Sequence, residues 1–254
     1  MSNFGLYAKY YNLLYRDKDY KSEAEYVDNL IRKNKQTPSL QMLNLGCGTG
    51  KHDFHFIQKG YGVTGVDLSA AMIAEANATL KQQYPGAAAS FVEGDVRTFR
   101  TDRKYDVVVS LFHVASYQVS NQDVLQMLET AEHHLEAGGL FIFDCWYGPA
   151  VLTHRPEVRV KRLQDDDIAV IRIAEPEMHP NRNVVDVNYE VAITDKKTAE
   201  RQVITEKHPM RYFFLPEIAS FIEQTKLQLL SAEEWLSGAE PDFDSWNVVL
   251  ICKK

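Results

Sequence analysis

Three glycines alternate with other residues directly after an apolar run. The stretch is Gly46-Cys47-Gly48-Thr49-Gly50, and it follows a predicted strand at Leu40–Leu45 and precedes a predicted helix at Lys51–Gln58. A strand, a glycine turn and a helix form the opening unit of many nucleotide-binding α/β sheets. Glycines permit a tight turn and a close approach of a ligand, and the helix start offers backbone N–H groups. The stretch therefore predicts a site for a small, partly polar ligand.

The spacing of these glycines distinguishes between classes of ligand. A dinucleotide fingerprint needs a glycine at the sixth place from Gly46, where Lys51 stands. A phosphate-binding P-loop needs glycine and Ser or Thr at two places that hold Leu45 and His52. What remains is Gly-x-Gly-x-Gly, followed about twenty residues later by Asp67 at the end of an apolar run. A carboxylate in that place can accept hydrogen bonds from both hydroxyl groups of a ribose.

At these residues the sequence resembles the class I S-adenosylmethionine-dependent methyltransferases. Their first motif looks like Leu45–Gly50, and their ribose-binding acid matches Asp67. The resemblance implies S-adenosylmethionine as the cofactor, S-adenosylhomocysteine as its product, and Asp95 as the acid beside the adenine amino group. The cofactor-binding residues that it implies are Tyr11, Tyr20, Gly46, Cys47, Gly48, Gly50, Asp67, Leu68, Asp95, Val96 and Leu111.

The resemblance narrows to the N,N-dimethyltransferases of nucleotide-linked deoxyaminosugars. It is carried by Tyr11–Tyr15, Asp19–Ala24, Asp144–Pro149 and the return through Arg211–Phe214 to a helix. By this likeness Tyr15 faces the acceptor amine, while Tyr11 and Tyr20 help to close over the cofactor. The implied acceptor-pocket residues are Trp146, Tyr147 and Arg211.

The exit of the fourth strand, Ser110–Tyr117, should lie beside the transferable methyl group, because ligands bind at the carboxyl ends of strands in open α/β sheets. It contains no proline, so it lacks the Asp/Asn-Pro-Pro-Tyr motif with which nucleic-acid amino-methyltransferases hold a base. His113 is a candidate general base or acceptor anchor, and a structural histidine bonded to the backbone is an equally good interpretation. His113, Tyr117 and Asn12 differ from the usual residues of the resembled family, which leaves the acceptor open. Tyr117 is a further candidate for the acceptor pocket.

The order of patterns predicts a doubly wound α/β fold. Strands and helices alternate up to residue 150, which indicates a mostly parallel sheet, and the resemblance implies seven strands in a Rossmann-like methyltransferase fold. Two-residue alternation with polar turns then predicts an antiparallel β-layer insert after strand five. We expect a helical lid segment at residues 1–37, a cofactor-binding core at 38–150 and 215–254, and the insert at 151–214. The lid and insert would close opposite sides of an aromatic pocket.

Composition limits the partners. The chain has 254 residues, 45% of them hydrophobic and 25% charged, and no signal peptide or membrane span is evident. The net charge of −7 disfavours a nucleic-acid substrate. Three cysteines without a C-x-x-C pair favour the reducing cytoplasm and predict neither a disulfide nor a metal site. We therefore expect a small-molecule acceptor, no nucleic acid and no membrane, and the oligomeric state is open, with a homodimer as one option.

The leading function is methyl transfer from S-adenosylmethionine to an amine or hydroxyl group of a small molecule, with amino sugar nucleotides among the acceptors to consider. The sequence does not decide between one and two transfers. An NAD-type oxidoreductase is the alternative enzyme, which Lys51 at the third-glycine place opposes. A cofactor-binding module without catalysis is the alternative outside enzymes.

Tyr15→Phe is predicted to lower kcat with little loss of cofactor affinity, because the hydroxyl group would act on the proton of the acceptor. Steady-state kinetics across a range of pH, with calorimetry of S-adenosylhomocysteine, measures both quantities. Unchanged turnover at every pH would make Tyr15 a packing residue and His113 the better candidate.

Overall fold

The computed structural model describes residues 10, 13–35 and 40–254. The chain divides into two compact units. The core unit comprises Tyr20–His154 and Arg211–Lys254, and the insert unit comprises Met1–Asp19 and Arg155–Met210. The residues of the expected lid are thus divided between the units at residues 19 and 20.

The described strands are β1 (Gln41–Leu45), β2 (Gly62–Asp67), β3 (Ala89–Glu93), β4 (Tyr105–Ser110), β5 (Leu135–Tyr147), β6 (Arg159–Gln164), β7 (Ile168–His179), β8 (Val184–Asp195), β9 (Arg201–Phe213), β10 (Gln228–Glu234) and β11 (Asn247–Lys253). The α-helices with assigned bounds are α1 (Tyr20–Asn34), α2 (Lys51–Gln58), α3 (Ala70–Gln83), α4 (Asn121–His134), α5 (Gly148–Thr153) and α6 (Leu215–Ile222). The predicted helix at Lys51–Gln58 is confirmed.

The core unit is built on a parallel sheet with the order β3-β2-β1-β4-β5. Strand β11 pairs antiparallel with β5, and β10 pairs antiparallel with β11. The chain therefore winds outward from β1 in one direction to β3 and then crosses to β4. This reversal leaves the carboxyl ends of β1 and β4 side by side, where open α/β sheets bind their ligands.

Both faces of this sheet are buried in apolar clusters. Leu43 and Phe141 point into one cluster with Leu128 of α4, and their sequence neighbours Met42 and Leu140 point into the other with residues of α1 and α2. A strand that is covered on both faces must be apolar at every position, which explains the uninterrupted apolar runs in the sequence. The expected mostly parallel, doubly wound α/β core is confirmed.

The insert unit is an antiparallel β-layer with the strand order β9-β8-β7-β6. One face carries a small apolar cluster of Ile168, Val170, Val191 and Ile193 with Tyr10 and Leu13. The opposite face leaves Ile171 42% exposed. This one-sided burial follows from the two-residue period of the sequence. The last residues of β9 belong to the core unit, where Tyr212 and Phe213 pair in parallel with β5.

None of the helices in the described part of the chain is both long and apolar enough to cross a membrane.

The glycine turn interlocks with the exit of β4 through Gly46. Its φ of +86° is unfavourable for residues with a side chain, and a Cβ built there would lie 2.5 Å from Val114 Cγ2. Val114 begins a short 3₁₀ helix that follows β4. The absence of a side chain at Gly46 therefore allows the β1 and β4 exits to pack directly against each other.

Gly46→Ala is expected to destabilise the core unit more than Gly60→Ala. Gly60 has a φ of +91° but nothing within 4 Å of a built Cβ. Gly60→Ala therefore measures only the cost of a side chain in a left-handed backbone conformation, about 1–2 kcal/mol. Overpacking against Val114 should add about 1–3 kcal/mol at Gly46. Urea unfolding of the two variants and of Gly46→Ala/Val114→Ala measures the difference, and equal losses for both single variants would show that the packing contact is unimportant.

Candidate active site

The glycine turn is held to β2 by backbone hydrogen bonds. The N–H groups of Gly46 and Cys47 both donate to the Val66 carbonyl oxygen, at 2.7 and 2.9 Å. Gly48, with a φ of +56°, has an open side, because a Cβ built there would meet only Met72 Sδ, at 3.7 Å. A ligand can therefore approach the backbone at Gly48 closely, as the sequence predicts for a glycine turn.

Asp67, at the end of β2, lies directly against this turn. Its Oδ2 accepts the Gly48 N–H at 2.8 Å and its Oδ1 accepts the Ser69 N–H at 2.9 Å. A carboxylate oxygen accepts up to two hydrogen bonds, so these contacts fix the carboxylate while each oxygen can still accept from a hydroxyl group. Leu68 beside it is 68% exposed, which gives a ligand ring an apolar surface. Both residues fit the predicted ribose end of the cofactor.

Asp95 follows β3 and is clamped by Arg97. Its Oδ1 accepts the backbone N–H and the Nε–H of Arg97, both at 2.9 Å, and Arg97 Nη1 reaches Asp123 at 2.9 Å. Hydrogen bonds from Arg97 hold the pKa of Asp95 below its usual range. Asp95 is thus an ionised and fixed acceptor, whereas its predicted contact with adenine stays a prediction. Val96 is partly buried against the core.

The remaining predicted cofactor residues have different surroundings. The Tyr20 ring packs edge-on against His52, with a centroid distance of 4.9 Å. Leu111 is buried in the apolar core, and burial raises the pKa of the Cys47 thiol, so that this group is not a nucleophile at neutral pH. Tyr11 lies outside the described residues. The ligand contacts of these four residues stay predictions.

His113 is paired with Asp144 across the exits of β4 and β5. His113 Nδ1 lies 2.8 Å from Asp144 Oδ2, and the His113 N–H donates to both carboxylate oxygens at 3.1 and 3.2 Å. Asp144 is almost fully buried, whereas the His113 side chain is 18% exposed. The backbone is strained here, because Phe112 and His113 both have a positive φ, of 66° and 65°. The buried carboxylate thus holds the backbone of His113 by hydrogen bonds, and the partly exposed imidazole lies beside it at ion-pair distance, with no aligned hydrogen bond at Nδ1.

Aromatic side chains stand next to this pair. The Trp146 ring lies 6.4 Å from the His113 ring and 5.6 Å from the Trp246 ring, both in edge-on geometry. Tyr117 is 45% exposed and Tyr147 is partly buried. The structure thus brings His113 and Trp146 together, and it adds Asp144 and Trp246, to which the sequence analysis gave no role in the site.

Arg211 is buried, at 4% exposure, on the last part of β9. Its Nη2 donates to Glu217 Oε1 at 2.5 Å and to Asn121 Oδ1 at 2.8 Å. These bonds balance its charge within the core unit and connect β9 to α6 and α4. Its predicted contact with the acceptor stays a prediction.

Tyr15 belongs to the insert unit and lies beside Arg172. Burial raises the pKa of Tyr15 to about 12, although a hydrogen bond with Arg172 opposes the rise. Tyr10 and Tyr189 lie close enough to interact with it electrostatically. A phenol with so high a pKa keeps its proton at neutral pH, which makes it a poor proton acceptor.

A second cluster in the insert unit has metal-binding residue types. Ligand atoms of Glu177, His179 and Asp186 all lie within 4.8 Å of one another. Lys207 Nζ lies 2.7 Å from Asp186 Oδ2, so a cation of the chain already pairs with the most buried carboxylate. The expectation of no metal site stays a prediction.

Comparison with known sequences identifies related proteins. Residues 42–139 match the family model of a methyltransferase domain. The dTDP-3-amino-3,4,6-trideoxy-alpha-D-glucopyranose N,N-dimethyltransferase of Streptomyces venezuelae is 29% identical over 188 residues, which cover 73% of this chain and 76% of the relative. The dTDP-3-amino-3,6-dideoxy-alpha-D-glucopyranose N,N-dimethyltransferase of Streptomyces fradiae is 26% identical over 194 residues, which cover 76% and 73%.

Solved structures share the fold. An S-adenosylmethionine-dependent methyltransferase of Clostridium acetobutylicum superposes with a TM-score of 0.83 at 21% identity, over 99% of both chains. DesVI of Streptomyces venezuelae superposes with a TM-score of 0.78 at 24% identity, over 98% of both chains. These likenesses establish a mostly parallel α/β methyltransferase fold that also contains antiparallel strands.

Asp67→Ala is expected to weaken binding of S-adenosylhomocysteine by about 1.5–3 kcal/mol, because it removes hydrogen bonds to a charged group. Isothermal titration calorimetry measures the change. Asp102→Ala, which removes an exposed carboxylate elsewhere in the core unit, is the control. Unchanged affinity in a folded Asp67→Ala protein would remove this residue from the site.

Proposed function

The protein is an S-adenosylmethionine-dependent methyltransferase, and from this premise we propose that it methylates the amino group of a small molecule, with nucleotide-linked aminosugars as the acceptor class. The observation that carries the choice of an amine is the His113–Asp144 pair, whose Nδ1 to Oδ2 distance is 2.8 Å. An amine must be free of its proton to act as a nucleophile, and this pair offers an oriented proton acceptor.

The residues around the glycine turn fit the cofactor. Gly48 gives it access to the backbone, Asp67 would accept hydrogen bonds from the ribose hydroxyl groups, and Asp95 would accept one from the adenine amino group. When bound, S-adenosylmethionine supplies an activated methyl group on a sulfonium sulfur. The work of the protein is therefore mainly to orient the acceptor and to exclude water.

We assign the general base to His113. Because Nδ1 lies beside Asp144, Nε2 is the ring nitrogen that would take the proton of the acceptor amine. The buried carboxylate of Asp144 then stabilises the positive charge that develops on the ring. Tyr15 is less suited to this step, because burial raises its pKa to about 12. Trp146 and Tyr117 offer aromatic surface for a compact acceptor such as a sugar ring.

The acceptor class is supported by the relatives that the chain resembles. Two of them, from Streptomyces venezuelae and Streptomyces fradiae, are named as N,N-dimethyltransferases of dTDP-linked aminosugars, and each matches over about three quarters of its length. An amino group on a sugar is a neutral nucleophile once deprotonated, which agrees with a histidine base. Whether one or two methyl groups are transferred is an outcome of the assay.

The test uses isotopically labelled S-adenosylmethionine and matched pairs of acceptors. Each pair consists of a dTDP-linked deoxyaminosugar and the same nucleotide sugar with a hydroxyl group in place of the amine. Label should appear on nitrogen in the amino compound and not in its hydroxyl counterpart. Transfer only to hydroxyl groups would contradict the proposed acceptor chemistry while leaving the methyltransferase activity intact.

His113→Gln is expected to lower kcat by about 10²–10⁴-fold, the usual contribution of general-base catalysis. Cofactor affinity should stay within about twofold, since His113 contacts the acceptor rather than the cofactor. The measurement is the pH–rate profile, whose acidic limb should disappear in the variant.

Asp144→Asn should lower kcat by a smaller factor, because the imidazole keeps its place but loses the charge that stabilises it. Phe112→Leu, which changes the neighbouring ring and leaves the pair intact, is the matched control. A His113→Gln enzyme with the wild-type profile would return His113 to a structural role.

A further inference from the structure

Asn44 and Asp53 stand on either side of the glycine turn and are bonded to each other. Asn44 is the penultimate residue of β1, and Asp53 is the third residue of α2. Asn44 Nδ2 donates to both carboxylate oxygens of Asp53, at 3.0 Å each. The two side chains are 2% and 0% exposed. This contact ties together the two ends of the turn on which the cofactor is expected to bind.

In the described part of the chain, no lysine or arginine balances the charge of Asp53. Within residues 13–35 and 40–254, no lysine or arginine forms an ion pair with it, and the hydrogen-bond donors to its side chain are neutral: the amide of Asn44 and the backbone N–H of Asp53. A buried carboxylate without a cation is costly. Burial accordingly raises the pKa of Asp53 to about 6, although its hydrogen bond with Asn44 and the neighbouring His52 oppose the rise.

Asn44 points to the same imbalance. Its Oδ1 is buried and has no donor in the described part of the chain. The two carboxylate oxygens of Asp53 thus have only neutral donors, the Asn44 amide and the backbone N–H of Asp53, and the nearby Asn44 Oδ1 has none in the described part of the chain. Such an excess of acceptors creates a negative potential at this place, which favours a cation bound nearby.

Given the cofactor assigned above, we propose that Asp53, held by Asn44, is the counter-charge for the ammonium group at the amino acid end of S-adenosylmethionine. The carboxylate is fully buried, so it acts through space, and the stabilisation is realised only when a ligand brings its positive charge to the glycine turn. Asp53 thereby selects ligands that carry the amino acid end. Its burial cost in the free protein is offset by binding.

Three ligands with the same adenosine group distinguish a counter-charge role of Asp53 from a purely structural role of its contact with Asn44. S-adenosylmethionine and S-adenosylhomocysteine both carry the ammonium group, whereas 5′-methylthioadenosine lacks it. Asp53→Asn keeps the shape of the side chain and removes the charge. We expect the variant to bind the first two ligands about tenfold more weakly, because it loses the attraction between the buried charge and the ammonium group. Its affinity for 5′-methylthioadenosine should be unchanged.

Stability and pH give two further readouts. At neutral pH the melting temperature of ligand-free Asp53→Asn should equal or exceed that of the wild type, because a buried charge is removed. Between roughly pH 5 and roughly pH 7.5, S-adenosylhomocysteine should bind the wild type more tightly as pH rises through the Asp53 pKa of about 6, and the variant should lack this dependence.

Other titratable groups near Asp53 set the control for the pH measurement. His52 precedes it on α2 and lies 2.6 Å from Glu23 of α1, while Cys47 of the turn interacts electrostatically with both Asp53 and Asp67. Glu23→Gln alters the His52 pair and retains Asp53, so its pH dependence should resemble that of the wild type.

An equal loss of affinity for all three ligands in Asp53→Asn would show that the contact with Asn44 only stabilises the turn, and it would overturn the proposal. Unchanged affinity for all three would overturn it as well. These outcomes differ from failure of the cofactor assignment, in which the wild-type protein itself would bind none of the three ligands. Calorimetry of the two proteins with the three ligands therefore decides the matter.

Discussion

The site depends on one steric constraint, the absence of a side chain at Gly46. A Cβ there would overlap Val114, so only glycine allows the turn after β1 and the 3₁₀ helix after β4 to pack against each other. This contact places His113, the residue before Val114, next to the cofactor turn. In the proposed mechanism, this packing contact between the two strand exits connects the cofactor site to the general base.

Four carboxylates arranged around this contact have different tasks because their partners differ. Asp67 is held by backbone N–H groups, and Asp95 is held by Arg97. Asp144 lies against His113, whereas Asp53 has only neutral donors, the Asn44 amide and the backbone N–H of Asp53. In the proposed mechanism, Asp67 and Asp95 accept hydrogen bonds from the cofactor, Asp144 lies beside the general base, and Asp53 is the counter-charge for the ammonium group of the cofactor. The residue type alone would not separate these roles.

Local patterns in the sequence predicted the glycine turn and the core, because both features depend on residues that are close together in the chain. The glycine spacing, the acid at Asp67 and the apolar runs each report on a short stretch of chain, and the structure places them as expected. The expected alternation is seen in the first part of β9, where exposed and half-buried residues alternate, whereas β8 has runs of consecutive buried residues.

Pairings between distant residues could not be predicted in this way. His113 and Asp144 are 31 residues apart, and their contact arises only when β4 and β5 lie side by side. The Asp67 contact with Gly48 spans 19 residues and likewise depends on β1 lying beside β2. The resemblance implies Arg211 as an acceptor-pocket residue, but it does not predict that Glu217 and Asn121 bond to it inside the core unit. The electrostatic state of a side chain is set by such tertiary partners.

The most direct test of the account is methyl transfer from labelled S-adenosylmethionine to a dTDP-linked deoxyaminosugar, followed by location of the label on the product. The account predicts label on the amino nitrogen, with a rate that falls strongly in His113→Gln. Label on a hydroxyl oxygen, or an equal rate in His113→Gln, would contradict it.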